Sequence, residues 1–108
     1  MVFGVFDGHG GREVAVFCKE NIQKILQSQD SLKSKDYKTA LRNTFMQLDD
    51  KVKQEDYADQ AGTTACVLLV TKDTIFCANS GDSRAVLSHS ERGAIALSED
   101  HKPQNPQE

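Results

Sequence analysis

Nearly continuous apolar sequence fills residues 63–71, which read Thr-Thr-Ala-Cys-Val-Leu-Leu-Val-Thr. A run of this kind, without alternating polar residues, predicts a strand that is covered on both faces. The dipeptide Lys72-Asp73 favours a tight turn, and residues 74–79 predict a second strand that pairs back onto the first. A hairpin that turns at Lys72-Asp73 places Cys66 opposite Asn79 and Cys77 opposite Leu68.

The three cysteines, Cys18, Cys66 and Cys77, each lie among apolar residues and show no CxxC spacing. The predicted register does not pair the two cysteines of the hairpin, so a disulfide between them would need a different register. We expect three reduced thiols that pack as small hydrophobic side chains. This cysteine usage predicts an intracellular protein, cytoplasmic or nuclear.

Further short strands are predicted on either side of the hairpin. Downstream, residues 84–88 and 94–97 predict two strands, with turns at 80–82 and 90–93. The four strands of this half are expected to form an antiparallel meander. At the start of the chain, residues 2–6 predict a short buried strand.

Two amphipathic helices are predicted between the first strand and the meander. The first covers residues 12–27, and a polar connector over residues 28–36 leads to the second. The second helix is expected to be capped by Ser34 or Asp36 and to end near Asp56. The apolar positions at helical spacing are Val14, Cys18, Ile22 and Ile25 in the first helix, and Leu41, Phe45, Leu48 and Val52 in the second.

The composition describes one globular domain of 108 residues with a net charge of −3. No basic stripe is present to attract nucleic acid or anionic lipid, so both are excluded as main partners. No apolar window is long enough for a membrane span. The pattern Asn-Pro-Gln-Glu at residues 105–108 is typical of a helix start, with a capping asparagine followed by proline.

Asp7-Gly8-His9-Gly10-Gly11 lies where the first strand meets the first helix. A glycine-rich loop that enters a helix can hold phosphate, but the spacing fits neither a P-loop nor a dinucleotide fingerprint. An aspartate at a strand end suits a hard cation that binds carboxylate and carbonyl oxygens. His9 would then donate or accept a proton beside the metal. The alternative is an ordinary turn, because Asp-Gly is a common turn dipeptide.

A second candidate is Asn79-Ser80-Gly81-Asp82-Ser83-Arg84, at the turn between two predicted strands. Asp82 is either a metal ligand or part of an ordinary hairpin turn. We expect Arg84 to pair with a carboxylate or to bind phosphate.

Two more segments mark element boundaries, Gly62-Thr63-Thr64-Ala65 and Leu97-Ser98-Glu99-Asp100-His101-Lys102-Pro103. In the first, both threonines are expected to favour the strand. In the second, Asp100 and His101 lie in a polar loop, where we expect them to be solvated or to cap an element.

Four segments, residues 3–11, 62–65, 78–86 and 97–103, occur in this order with fitting gaps. Together they resemble the metal-dependent type 2C (PPM-type) protein serine/threonine phosphatases, essentially from end to end. Any one of the motifs is weak evidence, whereas four in order are specific. The fold that this resemblance implies is α+β, an α/β/β/α sandwich of two antiparallel sheets flanked by helices.

The resemblance also implies a chemistry and assigns residues to it. It implies that a metal-activated water hydrolyses phosphoserine and phosphothreonine, with a pair of Mg²⁺ or Mn²⁺ ions as cofactors. Asp7 would bridge both ions, Gly8 would give its carbonyl to one of them, and Asp82 would contribute to a further, weaker metal position. His9 would be the general acid for the leaving alkoxide. No residue is assigned to grip the phosphate.

The sequence departs from the family pattern at both ends. Family members carry a phosphate-gripping arginine and an acidic pair before the first strand, and two metal-binding aspartates in DG and DN motifs further downstream. Residues 1–108 do not contain these motifs at those places. We therefore expect a partial catalytic domain that lacks N-terminal strands and the C-terminal half, and that is inactive or weakly active alone.

The leading hypothesis is a phosphatase with phosphoserine and phosphothreonine proteins as substrates, acting as a monomer. The alternative is a non-catalytic pseudophosphatase or regulatory module that binds a protein partner without metal. The intact Asp7 and His9 favour the enzyme. A third hypothesis, a phosphate or nucleotide binder that uses residues 8–11, predicts ligand binding that a chelator does not diminish.

Overall fold

The computed structural model describes residues 1–102. Its elements, in chain order, are β1 (Val2–Val5), β2 (Gly8–His9), α1 (Glu13–Gln27), α2 (Asp30–Lys33), α3 (Tyr37–Val52), β3 (Gly62–Thr63), β4 (Ala65–Val70), β5 (Ile75–Ser80), β6 (Val86–His89) and β7 (Gly93–Ala96). The predicted helix start at residues 105–108 lies outside the described residues. Among the described helices, none has the length and apolar character needed to cross a membrane.

The longest apolar run becomes β4, the middle strand of a three-stranded sheet. β1 and β5 flank it, and both run antiparallel to it. The predicted hairpin register is confirmed, with Cys66 opposite Asn79 and Leu68 opposite Cys77. The cysteines are free, as predicted.

Helices α1 and α3 pack on one face of this sheet and form the core with it. The buried core residues are Val14, Cys18, Ile22, Ile25, Leu26, Ala40, Leu41, Leu48, Val67 and Leu69. They include most of the apolar positions that helical spacing predicted. On the opposite face of the sheet, Phe3 and Val5 are 54% and 61% exposed. The prediction of a buried strand at residues 2–6 was therefore wrong about burial, since β1 is exposed along its length. In β4, Val67 and Leu69 are buried on the helix side, and on the other face Cys66 is buried and Leu68 is half-buried.

The helix boundaries differ from the predicted ones at three places. Helix α1 begins one residue later, and the predicted connector contains the short helix α2. Asp36, rather than Ser34, caps α3, because its Oδ1 accepts a hydrogen bond of 3.4 Å from the backbone N–H of Thr39. Helix α3 ends at Val52 instead of near Asp56, because the N–H groups of Gln54 and Glu55 bond to carbonyls three residues back and tighten the chain into turns.

The predicted four-stranded meander was wrong at one joint. Strands β6 and β7 pair only with each other within the described sheets, and β5 pairs only with β4. The reason is that residues 81–85, between β5 and β6, bond to residues 97–101 instead of forming a tight turn. The backbone N–H of Leu97 donates to the carbonyl of Ala85 at 2.9 Å, and that of His101 donates to the carbonyl of Gly81 at 2.8 Å. The α+β class with antiparallel sheets is confirmed.

Candidate functional site

Three of the four sequence motifs meet at one edge of the central sheet. Because β1 and β5 both run antiparallel to β4, the segments that leave them lie beside the segment that enters β4. Asp7-Gly8-His9 follows β1, Gly62-Thr63-Thr64 precedes β4, and Gly81-Asp82-Ser83 follows β5. The topology thus gathers Asp7, His9 and Asp82 at the same edge.

The backbone of the first motif is held by that of the second. The N–H of Asp7 donates to Thr64 Oγ1 at 3.1 Å, and the N–H of Thr64 donates to the carbonyl of Asp7 at 3.0 Å. The short strands β2 and β3 then pair Gly8 with Thr63, and His9 with Gly62. Asp7, Gly8 and His9 remain exposed, so their side-chain and carbonyl oxygens and the imidazole can meet a ligand from solvent.

Two glycines make room for this loop. A Cβ atom on Gly62 would lie 2.6 Å from Nε2 of His9, so the imidazole lies directly on the glycine backbone. Gly10 has φ +68°, and a side chain there would run into the carbonyl of Gln60. Gly62 therefore leaves room for the imidazole of His9, and Gly10 lets the loop pass close to the backbone of Gln60.

Thr64 also contacts the third motif. Its Oγ1 forms a hydrogen bond of 2.6 Å with Oγ of Ser83. Gly81, at φ +106°, approaches so closely that a Cβ atom on it would lie 2.7 Å from Cγ2 of Thr64. The buried Thr64 side chain thus lies between the two loops, while Asp82 itself is exposed.

The fourth motif, residues 97–103, contacts the third through Asp100. Arg84 donates from Nε to Oδ1 of Asp100 at 3.0 Å and from its terminal nitrogen to Oδ2 at 2.6 Å. These hydrogen bonds hold the pKa of the Asp100 carboxyl below its usual range. The expectation that Arg84 pairs with a carboxylate is confirmed. Asp100 was expected to be solvated or to cap an element; its side chain instead pairs with Arg84 and is only 16% exposed. His101 is exposed, and its Nδ1 accepts a hydrogen bond of 3.2 Å from the N–H of Gly81.

Sequence reasoning assigned Thr64 to the strand and gave no role to Ser83. Both are hydroxyl residues two positions after the motif glycines, Gly62 and Gly81. Hydroxyl side chains beside glycine turns commonly bond to neighbouring backbone, and that signal was present in the sequence. It did not reveal that the two hydroxyls would bond to each other.

The residues assigned to metal binding fit part of such a site. The carboxylates of Asp7 and Asp82 and the carbonyl of Gly8 are hard oxygen donors, which Mg²⁺ and Mn²⁺ prefer. Within residues 1–102, no group of three or more Asp, Glu, His or Cys side chains is placed to hold a metal ion. Since such ions take about six ligands, water or further groups would complete the coordination.

These features define an α+β protein with an oxygen-rich site at one edge of an antiparallel sheet. The family model for protein phosphatase 2C matches residues 1–108. The chain belongs to the protein phosphatase 2C family.

Curated relatives agree with this membership. The chain is 46% identical over 104 residues to protein phosphatase 2C homolog 2 of Hypocrea jecorina, a match that covers 94% of the chain and 24% of that protein. It is 41% identical over 108 residues to protein phosphatase 2C homolog 3 of Schizosaccharomyces pombe, which covers 98% of the chain and 26% of the relative. Protein phosphatase 2C 1 of Paramecium tetraurelia is 40% identical, with 99% and 40% covered. The chain therefore spans about a quarter to two fifths of these relatives.

A solved structure shares the fold. The crystal structure of a phosphatase from a pathogenic strain of Toxoplasma gondii superposes with a TM-score of 0.71 at 21% sequence identity. The match covers 98% of this chain and 46% of that one. This likeness supports the α+β class.

Proposed function

We propose that residues 1–108 are part of the catalytic domain of a metal-dependent protein phosphatase that hydrolyses phosphoserine and phosphothreonine in proteins. The observation that carries this proposal is the meeting of the Asp7 and Asp82 loops at the Thr64 hydroxyl. Two exposed carboxylates and an exposed histidine then lie at one edge of the sheet in a chain of the protein phosphatase 2C family.

The residues take distinct roles in this proposal. Asp7, the carbonyl of Gly8 and Asp82 would hold a pair of Mg²⁺ or Mn²⁺ ions. Such ions, when bound, polarise a phosphoryl group and lower the pKa of water. Thr64 would keep the two loops at a fixed separation. His9 would give a proton to the serine or threonine oxygen as it leaves, since an alkoxide is a poor leaving group without a nearby acid.

The first experiment replaces Asp7 in the full-length protein. Hydrolysis of a phosphothreonine peptide is measured against Mn²⁺ concentration for wild type, Asp7→Asn and Asp50→Asn. Asp50 is an exposed aspartate on α3 and belongs to none of the motifs that meet at the sheet edge. We expect Asp7→Asn to lose Mn²⁺-dependent activity and Asp50→Asn to retain it. Equal activity in both variants would refute the proposed role of Asp7.

The second experiment isolates the proton donor. His9→Asn should slow hydrolysis of the phosphothreonine peptide by roughly 10²–10⁴-fold, the usual effect of a general acid. Hydrolysis of an aryl phosphate should slow far less, because the phenolate leaves without protonation. Equal slowing of both substrates would show that His9 is not the acid.

A further inference from the structure

The β6–β7 hairpin continues beyond its last ladder pair towards Asp82. Val86 lies opposite Ala96 in the ladder. Gly81 lies five residues before Val86, and His101 lies five residues after Ala96. The N–H of His101 donates to the carbonyl of Gly81 at 2.8 Å. The N–H of Gly81 donates back to Nδ1 of His101 at 3.2 Å. The antiparallel register is therefore kept as far as the residue that immediately precedes Asp82.

Residues 98–101, here called the strap, contact the chain on both sides of Asp82. Before it, Nδ2 of Asn79 donates to the carbonyl of Glu99 at 3.0 Å, in addition to the His101 contacts. After it, the N–H of Ala85 donates to Oγ of Ser98 at 2.9 Å. Asp82 is thus the exposed residue between two anchored flanks.

The pair formed by Arg84 and Asp100 is the shorter of two ion pairs described at Asp100, the other being with Nζ of Lys102 at 3.9 Å. Both oxygens of Asp100 accept hydrogen bonds, at 3.0 and 2.6 Å, from one guanidinium. Two parallel bonds to a planar fork fix orientation as well as distance. The Asp100 side chain is 16% exposed and that of Arg84 is 62% exposed. The carboxylate is therefore mostly buried, whereas the arginine reaches it from the surface.

We propose that Asp100 is a positioning residue that acts through Arg84 to hold the Asp82 carboxylate in place for a divalent cation. This inference rests on the proposed function, because it assumes that Asp82 binds metal. Replacing a group that forms a hydrogen bond to a metal ligand typically changes metal affinity by about 10–100-fold. Asp100 acts one step further away, through Arg84 and the backbone of residues 82–84, so we expect an effect at the lower end of that range, about tenfold.

The test follows Mn²⁺ binding to the full-length protein by NMR, through paramagnetic broadening of amide signals. In wild type, broadening at residues 7–9 and 81–83 should saturate as Mn²⁺ is added. Asp100→Asn removes the charge and one strong acceptor, and should weaken saturation at residues 81–83 about tenfold. Asp73→Asn is the control, since Asp73 is an exposed aspartate in the turn between β4 and β5, at the opposite end of the sheet. It should leave Mn²⁺ binding unchanged.

Two additional variants separate geometry from charge and from folding. Arg84→Lys keeps the charge but loses the two-pronged contact, so it should also weaken binding at residues 81–83. The charge exchange Arg84→Asp with Asp100→Arg restores an ion pair and should recover part of the affinity. Melting temperatures are measured for all variants, because a purely structural role would lower stability without a selective effect on Mn²⁺ at Asp82.

The outcomes distinguish this inference from the proposed function. Absence of saturable broadening at residues 7–9 and 81–83 in wild type would contradict the proposed metal site itself. Normal wild-type binding together with unchanged binding in Asp100→Asn would overturn the positioning role and leave the proposed function standing. If Asp100→Asn unfolds, a charge exchange that folds without regaining affinity would overturn the inference as well.

Discussion

Replacement of Thr64 by valine tests whether one hydroxyl holds both aspartate loops. The side chain is buried, with 9% of the residue exposed. Valine keeps the branched shape of threonine and its contact with Gly81, but it removes Oγ1. The bonds lost are that from the N–H of Asp7, at 3.1 Å, and that with Oγ of Ser83, at 2.6 Å. The change therefore removes hydrogen bonding without creating a cavity.

The expected size follows from those two bonds. Each hydrogen bond contributes about 0.5–1.5 kcal/mol net, and a buried group left without a partner costs about 1–3 kcal/mol. Thr64→Val should therefore lower the free energy of unfolding by about 1–3 kcal/mol. In a domain of this size, each kcal/mol corresponds to a melting temperature that is lower by roughly 4–8 °C. Thr64→Ser keeps the hydroxyl and loses one methyl group, worth about 0.8 kcal/mol.

The assay is urea unfolding of wild type, Thr64→Val and Thr64→Ser, together with amide hydrogen exchange. The valine variant should be the less stable of the two, and the amide of Asp7 should exchange faster in it. The serine variant should retain slow exchange at Asp7. A valine variant as stable as the serine variant, with unchanged exchange at Asp7, would refute the assigned role of the hydroxyl.

Three further predictions concern the backbone at Gly10, the reactivity of the Cys77 thiol and the titration of the Asp100 carboxyl. Gly10→Ala and Gly93→Ala place alanine at nearly the same φ, +68° and +71°, so both carry about 1 kcal/mol or more of backbone strain. Only Gly10→Ala also meets a carbonyl, whereas a Cβ on Gly93 meets nothing within 4 Å. Urea unfolding should thus show the larger loss for Gly10→Ala, and equal losses would contradict the clash. Burial, and then the neighbouring Cys66, raise the pKa of Cys77 to about 11, so its alkylation by iodoacetamide should stay slow at pH 8 and accelerate in Cys66→Ala. A rate profile with a midpoint at the ordinary value of about 8.5 would count against this. The Arg84 contact lowers the pKa of Asp100, so its stabilising effect is present above about pH 4 and is lost as the pH falls through the lower folded-state value. A carboxyl ¹³C titration should show a midpoint below 3.9, and one at or above it would disprove the shift.

Local features of the fold were predictable because they depend on neighbours in sequence. The short turn at Lys72-Asp73 sets the register of β4 and β5, and a slip by one residue would exchange the two faces of the strand. The cysteine positions followed directly from that register. Helical spacing likewise identified the buried faces of α1 and α3, because residues three and four apart share one side of a helix.

Features that depend on distant contacts were not predictable in the same way. The strand after Ser80-Gly81-Asp82 was placed beside β5, because a glycine-aspartate pair between two strands is typical of a hairpin turn. In the structure, Arg84 and Asp100, which are 16 residues apart, pair instead and draw residues 81–85 onto residues 97–101. An aspartate in a polar loop carries no local sign of its partner, so Asp100 was expected to be solvated or to cap an element. Likewise, Asp7 and Thr64 are 57 positions apart in the sequence, so neither residue carries a local sign of their contact.

The two aspartate loops are held unequally, and this has a consequence for the site. The Asp82 loop has two anchors. Thr64 holds it through Ser83, and the strap holds it through Arg84. The Asp7 loop depends on Thr64 and on the two-residue pairing of β2 with β3. Loss of the Thr64 hydroxyl should therefore loosen Asp7 more than Asp82, whereas loss of Asp100 should loosen Asp82 alone. Opposite patterns of amide exchange in Thr64→Val and Asp100→Asn would follow from this arrangement, and a common pattern in both variants would mean that the edge of the sheet moves as one unit.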